Sequence, residues 1–360
     1  MKQTMLLKMV PTPEQAAALL ETLHAVNAAC NYAAEIAFKT QMGNKFELQK
    51  LVYGTLRVDY HLPAQLAIRA ISKAVDGYKR DKRVQPTFKP EGAIAYDERV
   101  MAFKGLTTVS LLTLQGRVLV PFRFGRYQAA RMDAIQGQAD LIYRKGRWYL
   151  VVTLDVPTPP AEPVDDTLGV DLGIINLATD SDGETFSGAA SERTRQKMGT
   201  LKAALQTRGT KSAKRHLKQL SGREARFRRN TNHCISKHVV AKAKRSHKGI
   251  ALEDLRHLRR RTERTVCRSQ RQRHSSWAYF QLRAFIAYKA ALASVPVVYV
   301  NPAYTSTTCS QCGHCEKANR VSQAEFLCRS CAFAAPADWN AAVNVSRAAP
   351  SDSPSSRPVD

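Results

Sequence analysis

Acidic residues are scarce in this chain. Its 360 residues include 30 Asp and Glu against 55 Lys and Arg, a formal net charge of +25. Charge of one sign at that level repels itself in a compact fold, so a polyanion is the expected partner, nucleic acid ahead of a membrane surface. Long hydrophobic runs are missing as well. No apolar stretch approaches the roughly 18 to 20 residues that span a bilayer, and MKQTMLLKMVPTPEQ has too short an apolar run for a secretory signal, so a cytoplasmic place and no membrane partner are expected. Cysteine is sparse: eight residues are too few to staple a fold of this length. Five of them, Cys309, Cys312, Cys315, Cys328 and Cys331, fall within 23 residues, a clustering that points to metal and not to disulfides. What is present is apolar residue, 44% of the chain, enough to bury real cores and to exclude disorder of the whole.

The pattern along the chain changes repeatedly. Residues 2–10 read as a strand that stops at Pro11. From Thr12 to about Arg80 the periodicity is helical, starting on Thr12-Pro13-Glu14-Gln15, a capping Thr, a Pro at the first helical position and a Gln at the capping-box position. A second helix is expected from Leu62-Pro63. TTVSLLTL, RVLVPF, ADLIYRK and RWYLVVTLDV then alternate with period two between Gly-containing turns, the signature of a small antiparallel barrel or sandwich. Pro-rich TPPAEPVDD (157–166) reads as a linker. Beyond it, LGVDLGIINLATDSDGETF predicts strands joined by tight turns, with Asp182-Gly183 as a hairpin signal. A Lys/Arg-rich helical region follows, then the apolar strand GIALEDL, a helix carrying Trp277, Tyr279, Phe280, Phe285 and Tyr288 at a spacing expected to bury one face, the strand VPVVYV, the Cys cluster, the helix DWNAAVNVSRAA and a Ser/Pro tail from Pro350. His233, His238, His247 and His274 lie among arginines and read as surface groups.

Cys309-x-x-Cys312 followed after 15 residues by Cys328-x-x-Cys331 is the spacing of a tetrahedral Cys₄ zinc ribbon, each pair forming a turn whose sulfurs converge. Cys315, three residues past Cys312, could compete as a ligand, but the two-plus-two register leaves it the expected spare. With all four positions filled by protein the zinc is structural, so chemistry must lie elsewhere. Three acids stand in unusual settings: Asp171 inside an apolar strand, Glu253 at the end of another, and Asp338 at a helix start. Brought together, such carboxylates hold one or two magnesium ions, which activate a water and stabilise the leaving oxygen in phosphodiester cleavage. Taken separately, an Asp in a strand hydrogen-bonds to turn amides and Asp338 caps a helix; the residues alone leave both readings open.

The blocks GVDLGIINLATDSDG, IALEDL, VNPAYTSTTCSQCG, FLCRSC and ADWNAAVNV, in this order, resemble the TnpB/OrfB family of transposon-encoded RNA-guided DNA endonucleases, relatives of the type V CRISPR effectors. The resemblance extends back through SSWAYFQLRAFIAYKAALA and, more loosely, to LPAQLAIRAISKAVDGYKR. It implies an α+β multidomain fold: a helical N-terminal unit, a small antiparallel β-barrel, and a RuvC-like nuclease domain of RNase H fold with an inserted Cys₄ zinc ribbon. The implied organisation is 1–10 as the first strand of the barrel (wedge) domain, 11–82 helical recognition, 83–156 the rest of the barrel, 157–166 linker, 167–304 RuvC-like with basic helices, 305–333 zinc ribbon, 334–349 the last RuvC segment and 350–360 a disordered tail. Asp171, Glu253 and Asp338 match the family's magnesium-chelating acids. The sequence departs from the family at Ala332, often Gly, at Pro336, often polar, and at Ala324, where some members carry Arg.

Between 193 and 273 the chain has 26 Lys and Arg against 4 acids. Lys211, Lys214, Arg215, Lys218, Arg223, Arg226, Arg228 and Arg229 are expected to line a channel that neutralises the phosphates of an RNA–DNA hybrid. The resemblance leaves target sequence to base pairing with a guide RNA derived from the transposon end. It assigns the reading of a short motif beside the target to the N-terminal helices and barrel, where Tyr53, Gln65 and Arg69 are the candidates. The expected function is therefore a magnesium-dependent, guide-RNA-directed endonuclease acting on double-stranded DNA, monomeric with its RNA and nucleoid-associated when bound to DNA. It would cut both strands in turn and leave 5′-phosphate and 3′-hydroxyl ends. The alternatives are a nuclease-inactive RNA-guided DNA-binding regulator, against which the intact acids stand, and a transposase acting without RNA.

Overall fold

Strands of period two and helices of period 3.6 sort the chain into two units that divide after Pro157. The computed structural model describes residues 1–254 and 279–349. Trp277, His274, the basic residues between 255 and 273 and the expected tail lie outside the described residues.

In the first unit, β1 (Lys2–Met9) leads into three helices, α1 (Pro13–Lys39), α2 (Lys45–Val58) and α3 (Ala64–Arg80). Thr12 accepts from the Gln15 amide while the Gln15 side chain accepts from Thr12 N–H, so the capping box is made and fixes where α1 begins. Small residues let α1 and α3 approach closely: Ala29, Ala33, Ala34 and Ala37 are buried, as are Ala67, Ala70 and Ala74. The remaining strands are β2 (Ile94–Tyr96), β3 (Met101–Lys104), β4 (Thr108–Thr113), β5 (Gly116–Arg123), β6 (Ile135–Arg144) and β7 (Arg147–Asp155), with the one-turn helix α4 (Arg126–Ala129) between β5 and β6. They form an antiparallel sheet ordered β2-β6-β7-β1-β5-β4-β3. Alternation sets its inner face, with Met5, Leu7 and Met9 of β1 and Trp148, Leu150, Val152 and Leu154 of β7 all buried. The two edge strands, β2 and β3, are joined by residues 97–100 alone, and the Tyr96 hydroxyl donates to the Leu112 carbonyl of β4 at 2.8 Å. The sheet is thereby a nearly closed barrel, which leaves little unpaired edge.

The second unit is built on β8 (Thr167–Asp171), β9 (Asn176–Asp180), β10 (Thr185–Ser187), β11 (Gly249–Glu253) and β12 (Val297–Val300), ordered β10-β9-β8-β11-β12. The first three are antiparallel, and β8, β11 and β12 run parallel. At the β9–β10 turn Gly183 has φ +95°, and the Asp180 carboxylate accepts from the amides of Asp182 and Glu184. The helices are α5 (Ala189–Arg208), α6 (Lys211–Arg245), α7 (Tyr279–Leu292) and α8 (Ala337–Arg347). Gly209, with φ +64°, ends α5, and Thr210 caps α6. A two-stranded ribbon, β13 (Glu325–Leu327) with β14 (Ala334–Pro336), precedes α8 directly. Because β14 runs to Pro336, the expected boundary between 333 and 334 falls inside this hairpin.

The sheet separates two layers. Leu168, Val170, Ile250 and Leu252 pack with Ile235, Val239 and Val240 of α6 and Leu282 and Ile286 of α7. The alternate residues face α8: Ala251 and Val300 pack on Val345. The aromatic reading of α7 needs correction. Its buried face is Tyr279, Leu282, Ile286 and Ala290, whereas Phe280 is exposed and Phe285 stacks on the His233 ring at 4.0 Å. Tyr279 and the aliphatic residues three, seven and eleven positions on fill the core, and the other described rings fall beside that stripe.

Gly169 is where α8 meets β8. A Cβ there would stand 2.1 Å from the Ala342 carbonyl oxygen and 2.4 Å from the Ser346 nitrogen, both backbone atoms that no rotamer change can move. Gly169→Ala should therefore destabilise the protein by roughly 2 to 4 kcal/mol, read as a lowered midpoint in urea unfolding. Gly199→Ala, an α5 position with open space around it, is the control and should be neutral or better.

Candidate active site and metal centre

Register brings two acids together before any side chain is considered. β8 and β11 are parallel, with Val170 beside Leu252, so one further step places Asp171 beside Glu253 at the C-terminal ends of neighbouring strands about 4.8 Å apart. Both side chains fall on the α8 face, since Asp171 alternates with Gly169 and Glu253 with Ala251. The third acid arrives from α8. Helix and strand run antiparallel here, because Ser346 bonds to Thr167 while Ala342 lies over Gly169. Four residues back along α8 is about 6 Å and two residues on along β8 about 6.6 Å, so Asp338 and Asp171 reach the same level.

Each carboxylate has its own holder. The Thr305 hydroxyl donates to Glu253 Oε1 at 2.6 Å, and Asn176 Nδ2 donates to Asp338 Oδ2 at 2.8 Å. Arg320 stands 3.6 Å from Asp338 Oδ1 and acts electrostatically on Asp171 and Glu253 as well. The Asp171 carboxyl is pushed up to about 8, first by desolvation and then by the charges of Glu253 and Asp338. Burial raises Glu253 too, against the Thr305 hydrogen bond and Arg320. Three carboxylates, two of which act electrostatically on the desolvated Asp171, form an oxygen donor set that a hard divalent cation fits. They do not close to the mutual 4.8 Å that the four cysteines reach.

Cys309, Cys312, Cys328 and Cys331 place their sulfurs within 4.8 Å of one another, the one such group among the described residues. Cys309 and Cys331 sulfurs are 3.7 Å apart, and those of Cys312 and Cys328 3.6 Å. Four sulfurs about 2.3 Å from a tetrahedral zinc lie about 3.8 Å from each other, so the quartet fits that ion. Cys315 lies outside it, against the Thr307 hydroxyl at 3.6 Å. The centre is tied to the acids: Asn340 of α8 bonds Ser310 N and Thr308 O, and Asn344 bonds Thr305 O and Thr308 O.

Of the basic candidates, Lys211, Lys214, Arg215, Lys218, Arg226 and Arg229 share one face of α6 at 100° per residue, opposite the buried Ala213, Leu220 and Glu224. These six and Arg223 are exposed and make no ion pair among the described residues, while Arg228 is partly buried beside Glu224. The α6 acid, Glu224, is buried and paired with Lys202. Nothing of negative sign interrupts that face. In the first unit, Gln65 and Arg69 both bind the Asp97 carboxylate, which itself accepts from Arg99 N. They brace the β2–β3 turn, and Tyr53 packs partly buried on the core.

Thr305, Asn176 and Arg320 were not among the sequence candidates. Thr305 and Asn176 lie within the blocks that carry the family resemblance, a usable signal. Arg320 lies between the two Cys pairs, and spacing alone does not connect it to the acids. Trp339, beside Asp338, turns its indole N–H to the Ser181 carbonyl at 3.0 Å and so buttresses the β9–β10 turn.

Residues 149–258 match the family model OrfB_IS605, described as a probable transposase, and residues 279–345 match the Cas12f1-like TNB domain. Through these matches the chain is similar to the TnpB/OrfB family. It is 31% identical over 251 residues to a CRISPR-associated endodeoxyribonuclease Cas12f1 of Sulfoacidibacillus thermotolerans, covering 65% of this chain and 56% of that relative. Over 303 residues it is 27% identical to the putative RNA-guided DNA endonuclease InsQ of Escherichia coli K12, covering 79% and 73%. The chain thus spans little over half the length of the Cas12f1 relative. In fold it is similar to a Cas12f1 solved with sgRNA and target DNA, at a TM-score of 0.63 and 16% identity over 94% of this chain and 83% of the other.

The metal reading of the cysteines has a direct measurement. Purified protein should carry one zinc per chain by elemental analysis, and Cys312→Ser should lower that content severalfold and destabilise the second unit, since binding and folding of such ribbons are linked.

Proposed function

We propose that the chain is an RNA-guided DNA endonuclease whose RuvC-like site is the Asp171, Glu253 and Asp338 pocket. The observation that carries the reading is their convergence: two acids at the ends of adjacent parallel strands and a third from the helix that crosses them, on a sheet whose mixed order, β10-β9-β8-β11-β12, is that of an RNase H fold. The names of the relatives support the activity, and the complex solved for the related Cas12f1 supports RNA and target DNA as partners.

The chain's own residues divide the work. Asp171, Glu253 and Asp338 would hold magnesium, Thr305 and Asn176 fix two of those carboxylates, and Arg320 brings a positive charge to the side of Asp338 where a phosphate's negative charge develops. Magnesium so held supplies Lewis-acid polarisation of a phosphodiester and a water made acidic enough to attack near neutral pH. Cys309, Cys312, Cys328 and Cys331 would hold structural zinc. The uninterrupted basic face of α6 would neutralise backbone phosphates without reading bases, which leaves sequence to the guide. Gln65 and Arg69, committed to Asp97, would contribute to adjacent-motif recognition through the shape of the turn they brace.

Asp171→Ala and Glu253→Ala should each reduce magnesium-dependent cleavage at least about a thousandfold, equivalent to several kcal/mol of transition-state stabilisation, with the copurifying RNA retained. Full cutting by either variant sinks the assignment. On the binding side, changing Lys211, Arg215, Lys218 and Arg229 together to Gln should flatten the slope of log affinity against log salt by roughly 3, about 0.7 to 0.9 for each phosphate no longer neutralised.

A further inference from the structure

The β9–β10 turn joins the basic helix α6 to the helix that carries Asp338. Lys242 of α6 lies thirteen residues past Arg229, about 140° round the helix from the exposed basic face. Its ammonium meets the Asp180 carboxylate at 2.5 Å and stands 3.6 Å from Asp182 and 3.4 Å from Glu184. His238, one helical turn earlier, places Nε2 at 2.9 Å from Glu184 Oε1. Asp180 is 1% exposed. Its other oxygen accepts from the Asp182 and Glu184 amides at 3.1 and 2.9 Å, so one buried carboxylate ties α6 to the backbone of the turn. A buried ion pair is not in itself stabilising, because desolvation offsets the attraction. Its use is sought in what it holds in place.

The next residue carries the connection onward. Ser181 is fixed to β8 by two bonds to Gly169, its amide donating to the Gly169 carbonyl at 2.8 Å and its hydroxyl accepting from the Gly169 amide at 3.1 Å. Its carbonyl accepts from the Trp339 indole at 3.0 Å. Trp339 also lies against Gly183, where a Cβ would come within 4.0 Å of the indole ring. Asp338 is the adjoining residue, in the first turn of α8. That helix begins on Pro336 with no side-chain cap, so the indole bond does what a cap does elsewhere and fastens the helix start to neighbouring backbone. Asn176 and Arg320 act on the Asp338 carboxylate itself, whereas the indole acts on the backbone that bears it.

Resting on the nuclease reading, we infer that Lys242 and Trp339 are positioning residues for Asp338, the two ends of one brace through Asp180 and Ser181 that sets how tightly the acid pocket binds magnesium. Both act through other residues: Lys242 holds the turn, the turn holds the indole, and the indole holds the residue beside the carboxylate. Partners that orient ligands from behind typically alter metal affinity by roughly ten- to a hundredfold.

The test uses the full chain with its copurified RNA and two readouts. Hydrogen exchange of the peptide spanning 336–342, measured without magnesium, reports the first turn of α8. Cleavage of a DNA matched to that RNA, followed against magnesium concentration, separates half-saturation from maximal rate. Three variants break the brace. Lys242→Met removes the cation; Asp180→Asn keeps an acceptor for the two amides but loses the ion pair, and covers the case of a Lys242→Met chain that fails to fold. Trp339→Phe keeps a ring and loses the donor. Each should speed exchange in that peptide and raise half-saturating magnesium about tenfold, with the maximal rate within about threefold of wild type. Lys242→Arg should restore both readouts. The Asp180→Asn, Trp339→Phe double variant should shift half-saturation about tenfold, short of the roughly hundredfold that independent sites would give. Unchanged exchange and half-saturation in Asp180→Asn and Trp339→Phe, or multiplying effects in the double variant, overturn the brace. A lower maximal rate at unchanged half-saturation overturns it too, since a smaller folded fraction gives that result. A wild-type protein that does not cut removes the nuclease reading, and exchange alone then decides the brace.

Discussion

Everything in the second unit turns on the closeness of a helix to a strand. At Gly169 the backbone of α8 lies so near β8 that a single methyl group would overlap two main-chain atoms. The approach is locked at its far end by reciprocal bonds, the Ser346 hydroxyl donating to the Thr167 carbonyl and the Thr167 hydroxyl to the Ser346 carbonyl. A helix clamped over less than three turns has little freedom at its other end, so Asp338 is delivered to Asp171 by rigid geometry and not by a loop. Pocket width then follows from strand spacing in one direction and from the height of α8 above the sheet in the other.

Charge makes this arrangement informative. The surrounding chain is overwhelmingly basic, and a pocket of acids in such a protein is a deliberate contrast. Elsewhere in the unit, acids are matched against cations: Lys242 binds Asp180 at 2.5 Å and reaches Asp182 and Glu184, and Lys248 pairs with Asp166 and Asp182. Among the described residues Asp171 has no such side-chain partner in contact; Arg320 reaches it only through space. The energetic penalty of desolvating Asp171 beside two further acids is of the kind that clusters at functional sites.

Much of this was legible in the sequence because local rules agree with the fold. The capping box at Thr12, the period-two segments of the barrel, the Asp182-Gly183 turn and the strand carrying Glu253 each follow from a few neighbouring residues. The paired cysteines were equally readable, since a metal imposes spacing. Reading failed where a residue answers to something distant. Gln65 and Arg69 look like free polar residues on a helix face, yet Asp97, some thirty residues on, takes both. Phe280 and Phe285 have core chemistry but sit one helical step off the stripe that Leu282 and Ile286 occupy. Arg320 reaches the acids only because the ribbon folds back upon the sheet, and no periodicity encodes that return.

The ribbon therefore belongs to the acid site as well as to its metal. β14 passes directly into α8, so the hairpin carrying Cys328 and Cys331 also sets the first turn on which Asp338 stands. Asn340 and Asn344 stitch that helix to the segment between Thr305 and Ser310, immediately before and within the first cysteine turn. Thr305 leads from there to Glu253, and Arg320, between the cysteine pairs, leads to Asp338. Two of the three acids are thus held through residues that the cysteine centre organises. An ion that never touches substrate would still tune the pocket, by fixing which of its positions the carboxylates can take.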